Sequence, residues 1–135
     1  MKKGFIFIFF SAIVSMAAFA QQPAQQPVQQ VDTTVVFNKL VHDFGDITKN
    51  DGDQSYTFEF TNKGSHPVII QKVTTSCGCT TPSWTKEPVA PGKKGYVTAT
   101  YKPSAVTTIN KSITVQVEGG TPAIIILQIR GNVVE

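Results

Sequence analysis

The sequence predicts an all-β protein, an immunoglobulin-like antiparallel β-sandwich of about seven strands. Apolar and polar side chains alternate with a period of two along several short segments, as they do in half-buried strands. Turn residues rather than helix caps separate these segments. No window of twelve residues carries an apolar stripe at helical spacing. We therefore expect one folded domain over residues 31–135.

Four segments show the alternation most clearly, and each presents one apolar face toward a core. The inward sets are Tyr56, Phe58 and Phe60; Val97, Ala99 and Tyr101; Ile113, Val115 and Val117; and Ile125, Leu127 and Ile129. Glycine, proline, asparagine and aspartate mark the turns between strands at residues 50–53, 62–64, 91–93 and 119–122.

One strand breaks this rhythm just before the cysteines. Val68 and Ile70 share a face, but the next apolar residue, Val73, is out of phase with them. A bulge near Gln71 and Lys72 would return Val73 to the core, so the sequence predicts a bulge there.

The segment around residue 125 carries apolar side chains on both faces. Ile124 and Ile126 fall on the nominally outward face, which predicts an exposed apolar strip available to a partner. The alternative is that an N-terminal strand near residues 35–37 covers the two isoleucines.

The N-terminus has the features of a secretory signal. Two lysines precede an apolar run over residues 5–18, which ends in Ala18-Phe19-Ala20. We therefore predict a signal peptide over residues 1–20 and export to the periplasm or the extracellular space. The run is shorter than a membrane-spanning helix, so no stable membrane insertion is expected after cleavage. Residues 21–30, QQPAQQPVQQ, predict a flexible linker.

The charge of the chain argues against a nucleic-acid partner. The whole sequence has a formal net charge of +3, from twelve basic and nine acidic residues. Removal of Lys2 and Lys3 with the signal peptide leaves ten basic against nine acidic residues, a balance of +1. Because neither sign is concentrated in one segment, the sequence shows no footprint for nucleic acid.

Several motifs together resemble a family of bacterial exported proteins, domain of unknown function fifteen seventy-three. They are HDFGDI at residues 42–47, FEFTNKGSHPVII at 58–70, SCGCTTP at 76–82, VAPGKKGYVTATY at 89–101 and KSITVQV at 111–117. Members of this family look like immunoglobulin-type sandwiches related to the abnormal-spindle and major-sperm-protein domains. The resemblance thus implies a fold and an exported location, and it implies no activity.

Cys77 and Cys79 are the only cysteines of the chain. They are too close in sequence to form the inter-sheet disulfide of antibody-type domains. Gly78 permits the backbone geometry of a short disulfide, and such a bridge would be reducible and open to a redox role. The nearest cations in sequence are Lys72 and Lys86, and no helix is predicted that would activate a thiol.

A soft-metal site is the third interpretation of the cysteine pair. Two thiolates suit Cu(I) or Zn, but a closed tetrahedral site needs four ligands. The remaining candidates are His42 and His66, whose spacing does not indicate such a site. Among loop architecture, redox chemistry and metal binding, we favour loop architecture.

The sequence favours a non-catalytic binding or accessory module over an enzyme. No catalytic Ser/His/Asp or Cys/His/Asn set can be assembled from it, and no cofactor is expected. We expect the partner to be another protein or a component of the cell envelope. The candidate interaction residues are Ile124, Ile126 and Trp84, with Trp84 expected to share one connection with the cysteines. A thiol-disulfide redox or metal-handling protein centred on Cys77 and Cys79 is the alternative.

The signal sequence gives a direct prediction. We expect the protein recovered from the export compartment to have the intact mass of a chain that begins at Gln21, because the small residues Ala18 and Ala20 form the peptidase recognition site. A mass that still includes residues 1–20 would instead indicate an uncleaved N-terminal anchor.

Overall fold

The computed structural model describes residues 33–135. The predicted signal peptide, the predicted linker and the first two residues of the predicted domain lie outside the described residues. Within residues 33–135, no helix has the length and hydrophobicity needed to cross a membrane.

The described residues form eight strands and one 3-10 turn. The strands are β1 (Val35–Phe37), β2 (Val41–Thr48), β3 (Gln54–Asn62), β4 (Ile69–Thr75), β5 (Thr80–Trp84), β6 (Lys94–Tyr101), β7 (Thr107–Glu118) and β8 (Ile124–Val134); the turn is Lys49–Asp51. The predicted all-β sandwich is confirmed, with eight strands rather than about seven.

The strands make two four-stranded sheets. The first sheet has the order β1-β3-β6-β5, and the second has the order β2-β8-β7-β4. All neighbouring pairs are antiparallel except β2 and β8, which are parallel, so the expectation of a wholly antiparallel sandwich is wrong for this pair. Residues 38–40 connect β1 in the first sheet to β2 in the second.

The core between the sheets consists of the alternating side chains predicted from the sequence. Phe58, Phe60, Val97, Ile113 and Leu127 are almost completely buried. The predicted bulge in β4 is also confirmed, because its register against β7 shifts between Ile70 and Lys72. This shift leaves Val73 only 6% exposed and so returns it to the core.

A buried amide organises one end of the sandwich. The Nδ2 group of Asn62 donates hydrogen bonds to the carbonyl oxygens of His66, at 2.7 Å, and of Val89, at 2.9 Å. Its Oδ1 atom accepts one from the N–H of Gly64, at 2.9 Å. Asn62 thereby ties the turn after β3 to the bridge between Val68 and Val89. The sequence pattern indicated only a turn at Asn62.

We expect Asn62→Ala to lower the free energy of unfolding by about 1–3 kcal/mol, because it removes three hydrogen bonds of a buried side chain and leaves the His66 carbonyl and the Gly64 N–H without this partner. Urea unfolding at pH 7 measures this loss. The exposed Asn110 provides a matched control, since Asn110→Ala changes a surface side chain of the same type. An equal loss in the two variants would contradict the organising role of Asn62.

Candidate functional site

One edge of the second sheet is only partly covered. β2 pairs with β8 from Gln128 onward, starting at Val41 opposite Gln128. The chain before β2 does not cover the rest of β8, because β1 belongs to the first sheet. Within residues 33–135, no strand pairs with this side of residues 124–127. We call residues 124–127 of β8 the open edge.

Within residues 33–135, backbone groups of the open edge have no pairing partner. The N–H of Gln128 donates to the carbonyl of Leu40 at 2.8 Å, so the backbone of Gln128 points away from β7. The carbonyl of Ala123 accepts a hydrogen bond from the N–H of Val117 at 2.9 Å, and the backbone of Ala123 therefore points toward β7. Backbone direction alternates along a strand. The N–H and C=O groups of Ile124 and Ile126 therefore point outward at the open edge.

The same two residues expose their side chains on the outer face of the sheet. Ile124 is 57% exposed and Ile126 is 56% exposed, whereas Ile125 and Leu127 are buried in the core. The alternative that the N-terminal strand covers the isoleucines is wrong, because β1 pairs with β3 in the opposite sheet. An exposed apolar strip thus coincides with the open edge.

An apolar groove lies between β1 and the open edge. It has a volume of about 280 Å³. Its lining includes the following side chains: Val35, Val36, Phe37, Leu40, Pro122 and Ile125. None of these side chains is charged, and Leu40 is 50% exposed at the surface. We call this feature the side groove.

The other edges of the described sheets carry features that discourage pairing. β5 contains Pro82, which has no N–H to donate. β2 and β4 have irregular registers, between Asp43 and Asp46 and between Ile70 and Lys72. β1 is only three residues long. Natural sheets use such devices against edge-to-edge association, and residues 124–127 have no proline, charge or bulge.

Cys77 and Cys79 form a disulfide in the turn that leads from β4 in the second sheet to β5 in the first. Their Cα atoms are 5.3 Å apart. The carbonyl of Cys77 accepts a hydrogen bond from the Thr75 hydroxyl at 2.9 Å, and that of Cys79 accepts one from the N–H of Lys102, also at 2.9 Å. Cys79 also packs against the core. The pair therefore belongs to the architecture of this sheet-crossing turn.

The structure does not assemble the metal site considered from the sequence. The two sulfurs are bonded to each other, and a disulfide presents no thiolate to a metal or a substrate. His66 is exposed in the turn after β3, while His42 lies on β2 against an aromatic ring. Among residues 33–135, no three His, Cys, Asp or Glu side chains are grouped to hold a metal ion. The alternative centred on Cys-Gly-Cys is not supported.

His42 is part of an aromatic cluster. Its ring stacks on Tyr56 of β3, with centroids 3.6 Å apart, and meets the edge of Phe44 at 4.7 Å. Its Nδ1 atom is buried without a hydrogen-bond partner in the described part of the chain. Desolvation lowers the pKa of His42, the positive charge of Lys39 lowers it further, and Asp43 opposes both effects.

Trp84 does not lie beside the cysteines, so the prediction that they share one connection is wrong. It ends β5, whereas the disulfide precedes the first residue of that strand. A strand extends by about 3.3 Å per residue, and β5 therefore separates the two features. Trp84 packs partly buried against the core, with the Lys86 Nζ atom 3.1 Å from the ring centroid.

Comparison with known proteins identifies the family. The family described as "Protein of unknown function (DUF1573)" matches residues 35–133. The chain belongs to this family. This agreement confirms the family resemblance seen in the sequence motifs. A separate search among curated proteins found no similar protein.

Several solved structures resemble this DUF1573 chain. A protein of unknown function from Porphyromonas gingivalis has a TM-score of 0.63 and 17% identity. The match covers 81% of this chain and 51% of the other, so this chain spans about half the length of that protein. The ASH/PapD-like domain 7 of human CEP192 has a TM-score of 0.67 and 11% identity, with coverages of 86% and 96%. The YadV chaperone has a TM-score of 0.56 and 12% identity, with coverages of 76% and 53%. At these identities the likeness shows the immunoglobulin-like fold.

The lowered pKa of His42 predicts acid sensitivity. Because its pKa lies below the ordinary 6.5, the unfolded chain binds a proton more readily than the folded chain. The stability that the neutral ring contributes is complete above pH 6.5 and is lost as the pH falls through the folded pKa. Urea midpoints measured between pH 7 and pH 5 should therefore fall less in His42→Phe than in wild type. His66→Gln, at an exposed position, is the control and should keep the wild-type profile.

The small ring closed by the disulfide predicts a modest effect of its removal. We expect Cys77→Ser/Cys79→Ser to keep the fold and to lose less than about 2 kcal/mol, because a short loop restricts the unfolded chain little. Thermal unfolding followed by circular dichroism, with reduced wild type alongside, measures this loss. Unfolding of the double variant at room temperature would contradict the prediction.

Proposed function

We propose that this DUF1573 protein is an exported, non-catalytic module that binds another protein through the open edge of β8. One observation carries the proposal: Ile124 and Ile126 combine exposed apolar side chains with outward backbone N–H and C=O groups. A polypeptide strand satisfies both requirements at once, because it offers backbone hydrogen bonds and apolar side chains at matching intervals.

The energetics favour an extended ligand at this edge. Contact with Ile124 and Ile126 removes apolar surface from water, at about 25 cal/mol per Å² of apolar surface buried. Backbone pairing with the same residues adds directional hydrogen bonds, which fix the register of the ligand. A compact globular surface would reach the two side chains but would leave the edge groups to water. An added strand therefore fits this site better than a flat protein surface does.

The similar proteins support a protein ligand. One of them is named a chaperone and another a PapD-like domain. The likeness to them extends over the fold, and the proposal for this chain rests on its own open edge. The basic and apolar N-terminus that ends in Ala18-Phe19-Ala20 supports export.

The placement of the reactive side chains supports a non-catalytic role. Cys77 and Cys79 are joined in the turn before β5, and the ring of His42 is packed on Tyr56. These side chains have structural partners and do not converge on a shared cleft. Binding through a strand edge needs none of them.

Site-specific photo-cross-linking tests the proposal in cells that export the protein. A photoreactive residue in place of Gln116, which lies opposite Ile124 on β7, should give a covalent adduct with another protein. The adduct should disappear in the Ile124→Thr/Ile126→Thr background, because threonine keeps the strand but removes apolar surface. The matched control places the same residue at Tyr96, which is 53% exposed on the first sheet.

A different outcome would reject this binding site. An identical adduct pattern from the Gln116 and Tyr96 positions would mean that the cross-linking is nonspecific. An adduct at Gln116 that survives the double isoleucine substitution would place the partner somewhere other than the open edge.

A further inference from the structure

We propose that the side groove is the specificity pocket of this binding site and receives an uncharged, apolar side chain of the bound segment. This inference rests on the proposed function and defines the chemistry of the partner. The bound segment is an extended, proline-free polypeptide paired with the open edge, with one apolar residue directed into the groove and β-branched or aromatic residues on both sides of it.

The groove lies where an added strand would direct its inward side chains. A strand that pairs with β8 at the open edge continues the second sheet, so its side chains point alternately to the outer face and toward the first sheet. Val35 and Phe37 of β1 line the groove on the side of the first sheet, and Ile125 lines it on the side of β8. An inward side chain of the added strand would therefore fill the space between these residues.

The size and boundaries of the site limit the length of the bound segment. The groove volume of about 280 Å³ is enough for a large aliphatic side chain. At one end, β2 takes over the pairing with β8 at Gln128. Backbone pairing is therefore confined to about four residues of the partner, which leave the sheet where they meet Leu40.

The chemistry of the lining selects against charge. The side chains that line the groove include aliphatic and aromatic groups, Pro122 and Thr33, and none of them carries a charge. A buried charge without a partner is strongly unfavourable in such surroundings. The nearby Lys39, on the connection between β1 and β2, does not line the groove. It is exposed, and its Nζ atom lies 6.0 Å from the Tyr56 ring centroid. The residue that enters the groove is therefore uncharged.

The outer face of the sheet adds a second, weaker selection on the outward residues of the bound segment. Outward side chains of the added strand lie beside Ile124 and Ile126, and neighbouring strands pair well through β-branched and aromatic residues. Proline in the paired residues would remove a donor that the edge carbonyls need. The expected pattern is an apolar residue in the groove, with β-branched or aromatic residues on both sides of it.

Peptide selection against the secreted chain tests the inference. The probe is a displayed library of random twelve-residue peptides, followed by calorimetric titration with a synthetic peptide from the selection. We expect the selected peptides to share an uncharged aliphatic or aromatic residue between β-branched or aromatic neighbours, without proline.

Two variants then separate the groove from the edge. Leu40→Glu places a carboxylate at the mouth of the groove and should weaken binding at least about tenfold. Its matched control is Val106→Glu in the connection between β6 and β7, where the valine is 52% exposed. Ile126→Pro removes an outward N–H that makes no bond to β7 and should abolish binding, whereas Ile126→Thr keeps that donor. Thermal unfolding of each variant verifies the fold.

The outcomes distinguish the inference from the function on which it rests. Unchanged affinity in Leu40→Glu, together with loss of binding in Ile126→Pro, would overturn the groove and leave the open edge standing. Failure to select any peptide, or binding that neither substitution alters, would overturn both. Should Ile126→Pro fail to fold, peptides methylated in turn at each backbone nitrogen replace it, and retained affinity throughout the series would overturn pairing at the edge.

Discussion

The crossing of the chain at residues 38–40 is the constraint on which this arrangement depends. It places β1 at an edge of the first sheet and β2 at an edge of the second. Neither sheet therefore has an edge strand made of the whole segment from β1 to β2. Because β2 begins only after the crossing, its parallel pairing with β8 starts at Gln128 and leaves residues 124–127 uncovered within the described chain. The crossing also separates Val35 and Phe37 from Ile125 by a groove. The open edge and the side groove are thus two results of a single change of sheet.

Local patterns predicted the elements well and their partners poorly. A single out-of-phase residue, Val73, was enough to predict the bulge in β4, because side-chain direction in a strand alternates strictly. Which strands become neighbours is decided by the packing of two whole sheets, and no local period records it. The parallel pairing of β2 was missed for this reason. The role of Asn62 was missed because its carbonyl partners, on His66 and Val89, are set by tertiary structure.

The candidate site was only half visible in the sequence. The exposed face of Ile124 and Ile126 was predicted from periodicity. No local pattern shows that, among residues 33–135, no strand pairs with their outward backbone groups. The cysteines and histidines were candidates for redox or metal chemistry because thiols and imidazoles are reactive groups and metal ligands. In the structure, Cys79 packs against the core and His42 stacks on Tyr56. A site made of aliphatic side chains and backbone groups has no distinctive residue type. It becomes visible only when the sheets are assembled.

The pairing of β2 with β8 also determines the order in which the domain can form. The hydrogen bond between the Asn132 amide and the Asp46 carboxylate, at 2.9 Å, joins residues 86 positions apart. Contacts of such high contact order close a long loop before they contribute stability, so they form late and slowly in folding. The pairs β5–β6 and β7–β8 join residues much closer in sequence, such as Trp84 with Val97 and Gln116 with Ile124, and both can form before β2 is added. The second sheet therefore stays incomplete until β2 pairs with β8, and β2 is an unpaired strand during that interval.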